Sequence, residues 1–262
     1  MTKQKILRPS WGVRLLLKVL PGIKKQVISW LDVVHCTHVE KNGLLFPIET
    51  DVMTPKFALA LATGQVEKEE IALSTTYVTA DDHIIEFGSG YGFAAALTHH
   101  ATKPASHICY EVNPTAQAYC KAMMAANDID ITVVPKALGD GSNTAFYLCD
   151  DYVKSGFQKP HDTTAYRQIE VPTICLSEAC SSKHPTILIC DVEGAELAFL
   201  TVDRLKSKAC QSLRGVMIEL HPAHYGQEGM DDMISRFYEA GFAIKEQQGD
   251  CIFFARDVAV AA

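Results

Sequence analysis

A chain of 262 residues, 48% hydrophobic and 21% charged, can bury one large core, and its composition argues against wholesale disorder. Its formal charge of −7, with no basic stripe along most of its length, argues against a protein that grips a phosphate backbone, so no nucleic-acid partner is expected. The nine cysteines form no CxxC pair and several sit inside apolar runs, which points to reduced core thiols and a cytoplasmic location.

Near the N-terminus, residues 11–34 mix apolar positions with Lys18, Lys24 and Lys25. They read as two short amphipathic helices broken at Pro21-Gly22. Arg14, Lys18 and Pro21 interrupt the apolar run, so neither a transmembrane helix nor a signal peptide is expected. A cap packed on the main domain is the preferred reading, with a basic face resting on a membrane surface as the alternative. Residues 55–77 read as helix.

From residue 83 the pattern alternates. Strands are expected over 83–87, 107–111 and 131–134, with helices over 91–101 and 114–126 between them. After a polar stretch over 139–185, a strand is expected at 186–191, a helix from Ala195, a strand at 215–220 and a helix at 231–240. An antiparallel hairpin over 242–245 and 251–254 closes the chain. Such alternation predicts an α/β fold, a mostly parallel sheet with helices on both faces. The stretch 139–185 is too long for a bare loop, and 146–148 and 170–174 are its candidate strands.

The first of these strands runs into Glu86-Phe-Gly88-Ser-Gly90-Tyr-Gly92. Glycines allow a tight turn and close approach of a ligand, and a helix opening at Tyr91 would aim N–H groups at an anion. That anion could be a pyrophosphate or an amino-acid carboxylate. Phe93 stands where a dinucleotide fingerprint wants Gly or Ala, which speaks against a nicotinamide cofactor. Glu111, ending the second strand, can accept hydrogen bonds from both ribose hydroxyls of an adenosine; a solvated strand-end charge is the alternative. With Glu86 in the same crevice, the carboxylates suit a ligand carrying an ammonium and a sulfonium, as S-adenosylmethionine does.

Four segments then resemble the class I S-adenosylmethionine-dependent methyltransferases and, within them, the FkbM family, from about Gly64 to the C-terminus. They are Gly64-Gln-Val-Glu67-Lys-Glu-Glu70, Ile85-Glu-Phe-Gly-Ser-Gly-Tyr-Gly92, Ile189-Cys-Asp-Val-Glu-Gly-Ala-Glu196 and Met217-Ile-Glu219-Leu-His221-Pro222. Val66 replaces a common aromatic, and Cys190 stands where many members carry Lys. The resemblance implies a Rossmann-like fold with a seven-stranded sheet and a methyltransferase domain over 55–262. Residues 1–54 would then be an N-terminal helical or cap segment and 139–185 an insertion. It implies a cofactor site of Glu67, Glu86, Gly88, Ser89, Gly90, Tyr91, Gly92, Glu111, Val112, Asn113, Ala137 and Asp191, with S-adenosylhomocysteine as product. The expected reaction is O-methylation of a hydroxyl on a sugar, natural product or other small molecule. N-methylation and a non-catalytic cofactor-binding module are the alternatives.

Methyl transfer from a sulfonium is an in-line displacement, so the protein must position the reactants, exclude water and help a hydroxyl lose its proton. Asp191 ends a central strand at the ligand-binding edge and is expected to face donor or acceptor; a helix cap near Gly194 is the competing reading. Glu193, Glu219 and His221 join it as candidate catalytic residues. Glu193 and Glu196 also suit the positive start of a helix. Asp191, Glu219 and His221 have ligand chemistry, but three such residues equally make a hydrogen-bonded crevice, and no metal is expected. His224 reads as an exposed loop residue.

Overall fold

Residues 6–7, 37–49, 60–61, 63–150, 154–160 and 165–256 are described by the computed structural model; the helices expected over 11–34 lie outside them. Strand β1 (Ile6–Leu7) runs parallel to β2 (His38–Lys41), which turns back through Asn42-Gly43 into antiparallel β3 (Leu44–Pro47). Both turn residues have positive φ, 53° and 86°, as a two-residue hairpin turn requires. The segment read as a helical cap therefore contains a small sheet. Its apolar alternation, with Val39, Leu44 and Phe46 buried, is too short to stand out in the sequence.

Helix α1 (Lys68–Tyr77) leads into β4 (His83–Phe87), α2 (Phe93–Thr102), β5 (Ser106–Tyr110), α3 (Pro114–Ala126) and β6 (Thr132–Val134). The expected alternation is present. Helix α2 begins two residues later than expected because Gly92, at φ 80°, caps it from the left-handed region. Asn113 caps α3, its side chain accepting from the Thr115 and Ala116 amides.

The long polar stretch folds as β7 (Ala137–Leu138), β8 (Asn143–Cys149) and β9 (Tyr166–Ile174), a separate three-stranded sheet, followed by α4 (Leu176–Lys183). The two strands expected there lie within β8 and β9; α4, with its polar run of Ser181, Ser182 and Lys183, was not legible. The chain continues through β10 (Ile187–Cys190), α5 (Glu196–Phe199), α6 (Val202–Lys206), β11 (Gly215–Glu219) and α7 (Pro222–Glu239), and ends in the hairpin β12 (Phe242–Gln248) and β13 (Cys251–Arg256). Helix α7 starts well before the expected residue 231; Pro222 opens it, and Gly226 at φ 68° interrupts it, so its first turn reads as loop.

The main sheet has the order β12-β13-β11-β10-β4-β5-β6, parallel except for the antiparallel β12 and β13. It is the Rossmann-like, seven-stranded arrangement expected. One face, with Ile85, Phe87, Leu188, Val216 and Phe254, packs on α4, α6 and α7. On the other face Ile84, Ile189 and Met217 meet Leu73 of α1, while α2, α3 and the β2–β3 hairpin cover Cys109. No helix among the described residues is long and apolar enough to cross a membrane.

At the edge where the parallel strands begin, Asp82 is buried and fully partnered. Arg214 donates to both its oxygens, the Nε bond at 2.7 Å, Thr186 Oγ1 donates at 2.6 Å and the Thr79 amide at 2.8 Å. Burial would raise this carboxyl, but the Arg214 guanidinium and the other donors hold it below the ordinary aspartate range.

Candidate active site

Chain order reverses between β4, which is followed by β5 and β6 on one side, and β10, which opens the other side. Such a switch point leaves a crevice beyond the carboxyl ends of the strands, where open α/β sheets take ligands. The glycine loop after β4 borders it. A Cβ on Gly88, at φ 84°, would lie 1.5 Å from the Asp191 carbonyl oxygen, so glycine there is what lets the β4 and β10 ends meet. Gly92 works elsewhere: a Cβ there would meet Cys120 Sγ at 2.6 Å, which ties it to the contact of α2 with α3.

The loop amides are already occupied by protein acceptors. Gly88 N–H donates to the Tyr110 carbonyl at 3.0 Å and Gly92 N–H to the Ser89 carbonyl at 2.7 Å. Gly90 N–H donates to Glu111 Oε2 at 2.8 Å, and Ala94 N–H, in the first turn of α2, to Glu67 Oε2 at 2.7 Å. The helix terminus expected to receive an anion is thus capped by a carboxylate of the chain itself. This arrangement disfavours a phosphate-bearing ligand and suits a cationic one.

A cavity of about 380 Å³ opens beside the loop. At one end lie Glu111, Val112, Asn113, Ala137, Leu138 and Phe146, an acid among apolar walls. Glu111 is held by the Gly90 amide on one oxygen and the Asn113 amide at 2.7 Å on the other, with the Val112 amide also acting on it. These residues suit the adenosine of S-adenosylmethionine, with apolar side chains beside a carboxylate of the kind that receives ribose hydroxyls.

The other end is acidic. Glu67 and Glu70 come from the start of α1, Asp191 and Glu193 follow β10, and Glu219 ends β11. Burial, then the charges of Asp191, Glu86 and Glu219, push Glu67 up to about 8 against the opposing Ala94 amide. Burial raises Glu193 to about 8 and Glu219 to about 7, with Asp191 next in each case, and puts Glu70 well above the usual range. Glu111 rises to about 7 for the same first reason. Crowded, desolvated carboxylates favour whatever brings them positive charge.

His221 supplies one such charge. Its Nδ1 lies 2.9 Å from Glu196 Oε1, and its Nε2 lies 3.2 Å from Asp191 Oδ1 and 3.5 Å from Glu193 Oε2. Burial opposes the imidazolium, but Asp191 and Glu196 outweigh it and lift His221 to about 11. At neutral pH the ring is a cation that orients Asp191, and it has no lone pair to act as a base. The alternative reading of Asp191 as a helix cap fails, because α5 has no side-chain cap and Glu196 Oε1 reaches back to the Val192 amide instead.

Among the residues expected at the site, Glu67, Gly88, Gly90, Glu111, Val112, Asn113, Ala137, Asp191, Glu193 and Glu219 line the cavity. Glu86 and Ser89 lie beneath the loop around a small neighbouring void, and Glu86 is bound to His107 Nε2 at 2.8 Å. Tyr91 turns into the core against Tyr119, with ring centroids 5.0 Å apart. His221 stands behind Asp191, and His224 is exposed in the first turn of α7 with its ring against Gly194. Glu70, Leu138, Phe146, Phe157 and Cys251 line the cavity without having been singled out. For Glu70 the one sequence signal was its place in the Gly64-to-Glu70 segment that carries the family resemblance. Cys190, at the position of the family's Lys, is buried in the core below the site, and burial raises its thiol well above the ordinary range.

The crevice and sheet order define a Rossmann-like methyltransferase architecture. Residues 79–244 match the methyltransferase FkbM domain, and the chain belongs to that family of methyltransferases. Similar folds include a methyltransferase from Pyrococcus furiosus, 10% identical over 89% of this chain and 98% of that one, TM-score 0.48. Others are TYW2 from M. jannaschii in complex with AdoMet (13% identity, 84% and 87% covered, TM-score 0.44) and precorrin-6y C5,15-methyltransferase from Geobacter metallireducens GS-15 (10%, 80% and 91%, TM-score 0.43). No curated protein matches the chain.

Proposed function

We propose that this methyltransferase moves a methyl group from S-adenosylmethionine to a hydroxyl of a small-molecule acceptor, leaving S-adenosylhomocysteine. The occupied loop amides carry the cofactor reading. With Gly90 and Ala94 already bound to Glu111 and Glu67, the loop suits a sulfonium and ammonium ligand better than a dinucleotide. When bound, the cofactor supplies an electrophilic methyl group on a positively charged sulfur.

The chain's residues do the rest. Glu111 accepts from the ribose hydroxyls while Val112, Ala137 and Leu138 wall the base. Asp191, braced by the His221 imidazolium, orients the acceptor at the far end. Glu193, raised to about 8 in the ligand-free site, gives up its proton more readily beside the cofactor's positive charge and can then take a hydroxyl proton. The cavity's size, about 380 Å³, and the net charge of −7 favour a small acceptor over nucleic acid. Eight free cysteines among the described residues support a reducing, cytoplasmic setting.

Titration calorimetry with S-adenosylhomocysteine tests the cofactor half. Wild-type protein should bind, and Glu111→Ala should weaken binding by about tenfold or more through loss of two charge-assisted hydrogen bonds. Wild-type affinity in that variant removes the ribose role. A mass-spectrometric panel of glycosides, phenols and amines tests the acceptor half; methyl gain confined to amines would replace O- by N-methylation.

A further inference from the structure

Three carboxylates at the acidic end exceed what the proposed cofactor and His221 can neutralise. Glu67 is engaged by the Ala94 amide, and Glu193 shares His221 with Asp191. Glu70, Asp191 and Glu219 nonetheless converge, one oxygen of each lying within 4.8 Å of the other two, and of the three only Asp191 lies within ion-pair distance of His221. Glu70 is only 4% exposed, lines the cavity, and among the described residues has no hydrogen-bond or ion-pair partner. A buried carboxylate without a partner is costly, and it implies a cation or a proton at that spot.

We propose that Glu70, Asp191 and Glu219 hold one divalent, oxygen-seeking cation of the magnesium or manganese type at the acceptor end of the cavity. The sequence led to an expectation of no metal, and the trio weighed there was a different one, Asp191, Glu219 and His221. His221 is taken up by Glu196, Asp191 and Glu193, while α1 delivers Glu70, which only the fold brings to β10 and β11. An all-carboxylate set suits a hard cation, and three such ligands leave coordination positions open for water and for an acceptor oxygen. Three negative charges met by two positive ones also leave a net attraction for a cationic cofactor nearby.

The site stands on these three residues; its effect on catalysis rests on the methyl-transfer reading. Coordination would make the acceptor hydroxyl more acidic and fix its direction. In the transfer the new O–C bond forms as the S–C bond breaks, the electron pair stays on sulfur and the hydroxyl proton passes to Glu193.

Manganese(II) added to the chelator-treated full chain, followed by electron paramagnetic resonance, tests the site without any turnover. One equivalent should bind, and Glu70→Gln and Glu219→Gln should each weaken it by about tenfold or more. Urea unfolding midpoints, measured in parallel on the same variants, should not fall below that of the wild type and so report an intact fold. No stoichiometric manganese binding below about 1 mM, or binding unaltered in both variants, overturns the site. Manganese binding in a protein that binds no S-adenosylhomocysteine supports the cation site and counts against the proposed function instead.

Discussion

The two edges of the main sheet treat buried acids in opposite ways. Where the parallel strands begin, Asp82 is 2% exposed yet held below its ordinary range, because Arg214, Thr186 and Thr79 all donate to it. Where they end, Glu67, Glu70, Glu193 and Glu219 are pushed upward, since burial and mutual repulsion act there with only His221 and a few amides in opposition. Burial pushes the acids upward at both edges, and only at Asp82 does a guanidinium help to outweigh it. One edge ties β11 to the start of β4, and the other keeps its charge imbalance for a ligand.

The largest break in this contrast should come from Gly88→Ala. Its methyl group would need the space of the Asp191 carbonyl and a left-handed backbone, forcing the β4 and β10 loops apart. Cofactor affinity and turnover should both fall by about 100-fold or more, measured by calorimetry and by methyl transfer to whichever acceptor the panel identifies. At the other edge, Arg214→Ala strands the Asp82 carboxylate and should lower unfolding free energy by about 3 kcal/mol in urea titrations. S-adenosylhomocysteine affinity should stay within about twofold of wild type, because the two edges share no partners. Equal damage to stability and affinity would mean the edges are one coupled network. Asp191→Asn removes charge without volume and should cut turnover by about 100-fold with cofactor affinity nearly intact. Unchanged turnover would take Asp191 out of the chemistry.

What the sequence disclosed follows the same division. Strands β4, β5, β10 and β11 each carry a run of three or four mostly apolar residues at regular spacing, so the strands and the acids just beyond them, Glu111 and Asp191, were legible. Partner choice was not. Nothing in the primary structure tells that Glu67 caps α2, that Tyr91 turns inward to Tyr119, or that His221 braces Asp191 from behind. Each of these depends on how a helix or loop is rotated against a strand far away in sequence. Glu70 sits in a run, Glu67-Lys-Glu-Glu70, that reads as a solvated helix face, and its burial depends on how α1 lies against β11 and β13. The β2–β3 hairpin escaped notice because each strand has only four residues, and its turn at Asn42-Gly43 was the one strong local signal.

The smallest effect is also the most discriminating, because the two edges should answer pH with opposite signs. Glu67 and Glu193 keep their protons to about pH 8 in the folded chain, against an ordinary value of 4.5. Between those limits the folded state binds more protons than the unfolded one, so raising the pH from about 5 to 8 should lower the stability of the ligand-free, metal-free protein. Asp82 works the other way: its folded value is depressed from 3.8, so its contribution is present above that pH and disappears as the pH falls through the folded value. Glu193→Gln should remove part of the neutral-pH penalty and raise the melting temperature at pH 8 by about 2 °C, with almost no change at pH 5. The gain at pH 8 should be accompanied by lost turnover, since the group removed is the proposed proton acceptor. A melting temperature that rises equally at both pH values would show that the effect does not come from the Glu193 charge, because glutamine leaves the left-handed backbone there, φ 52°, as it is.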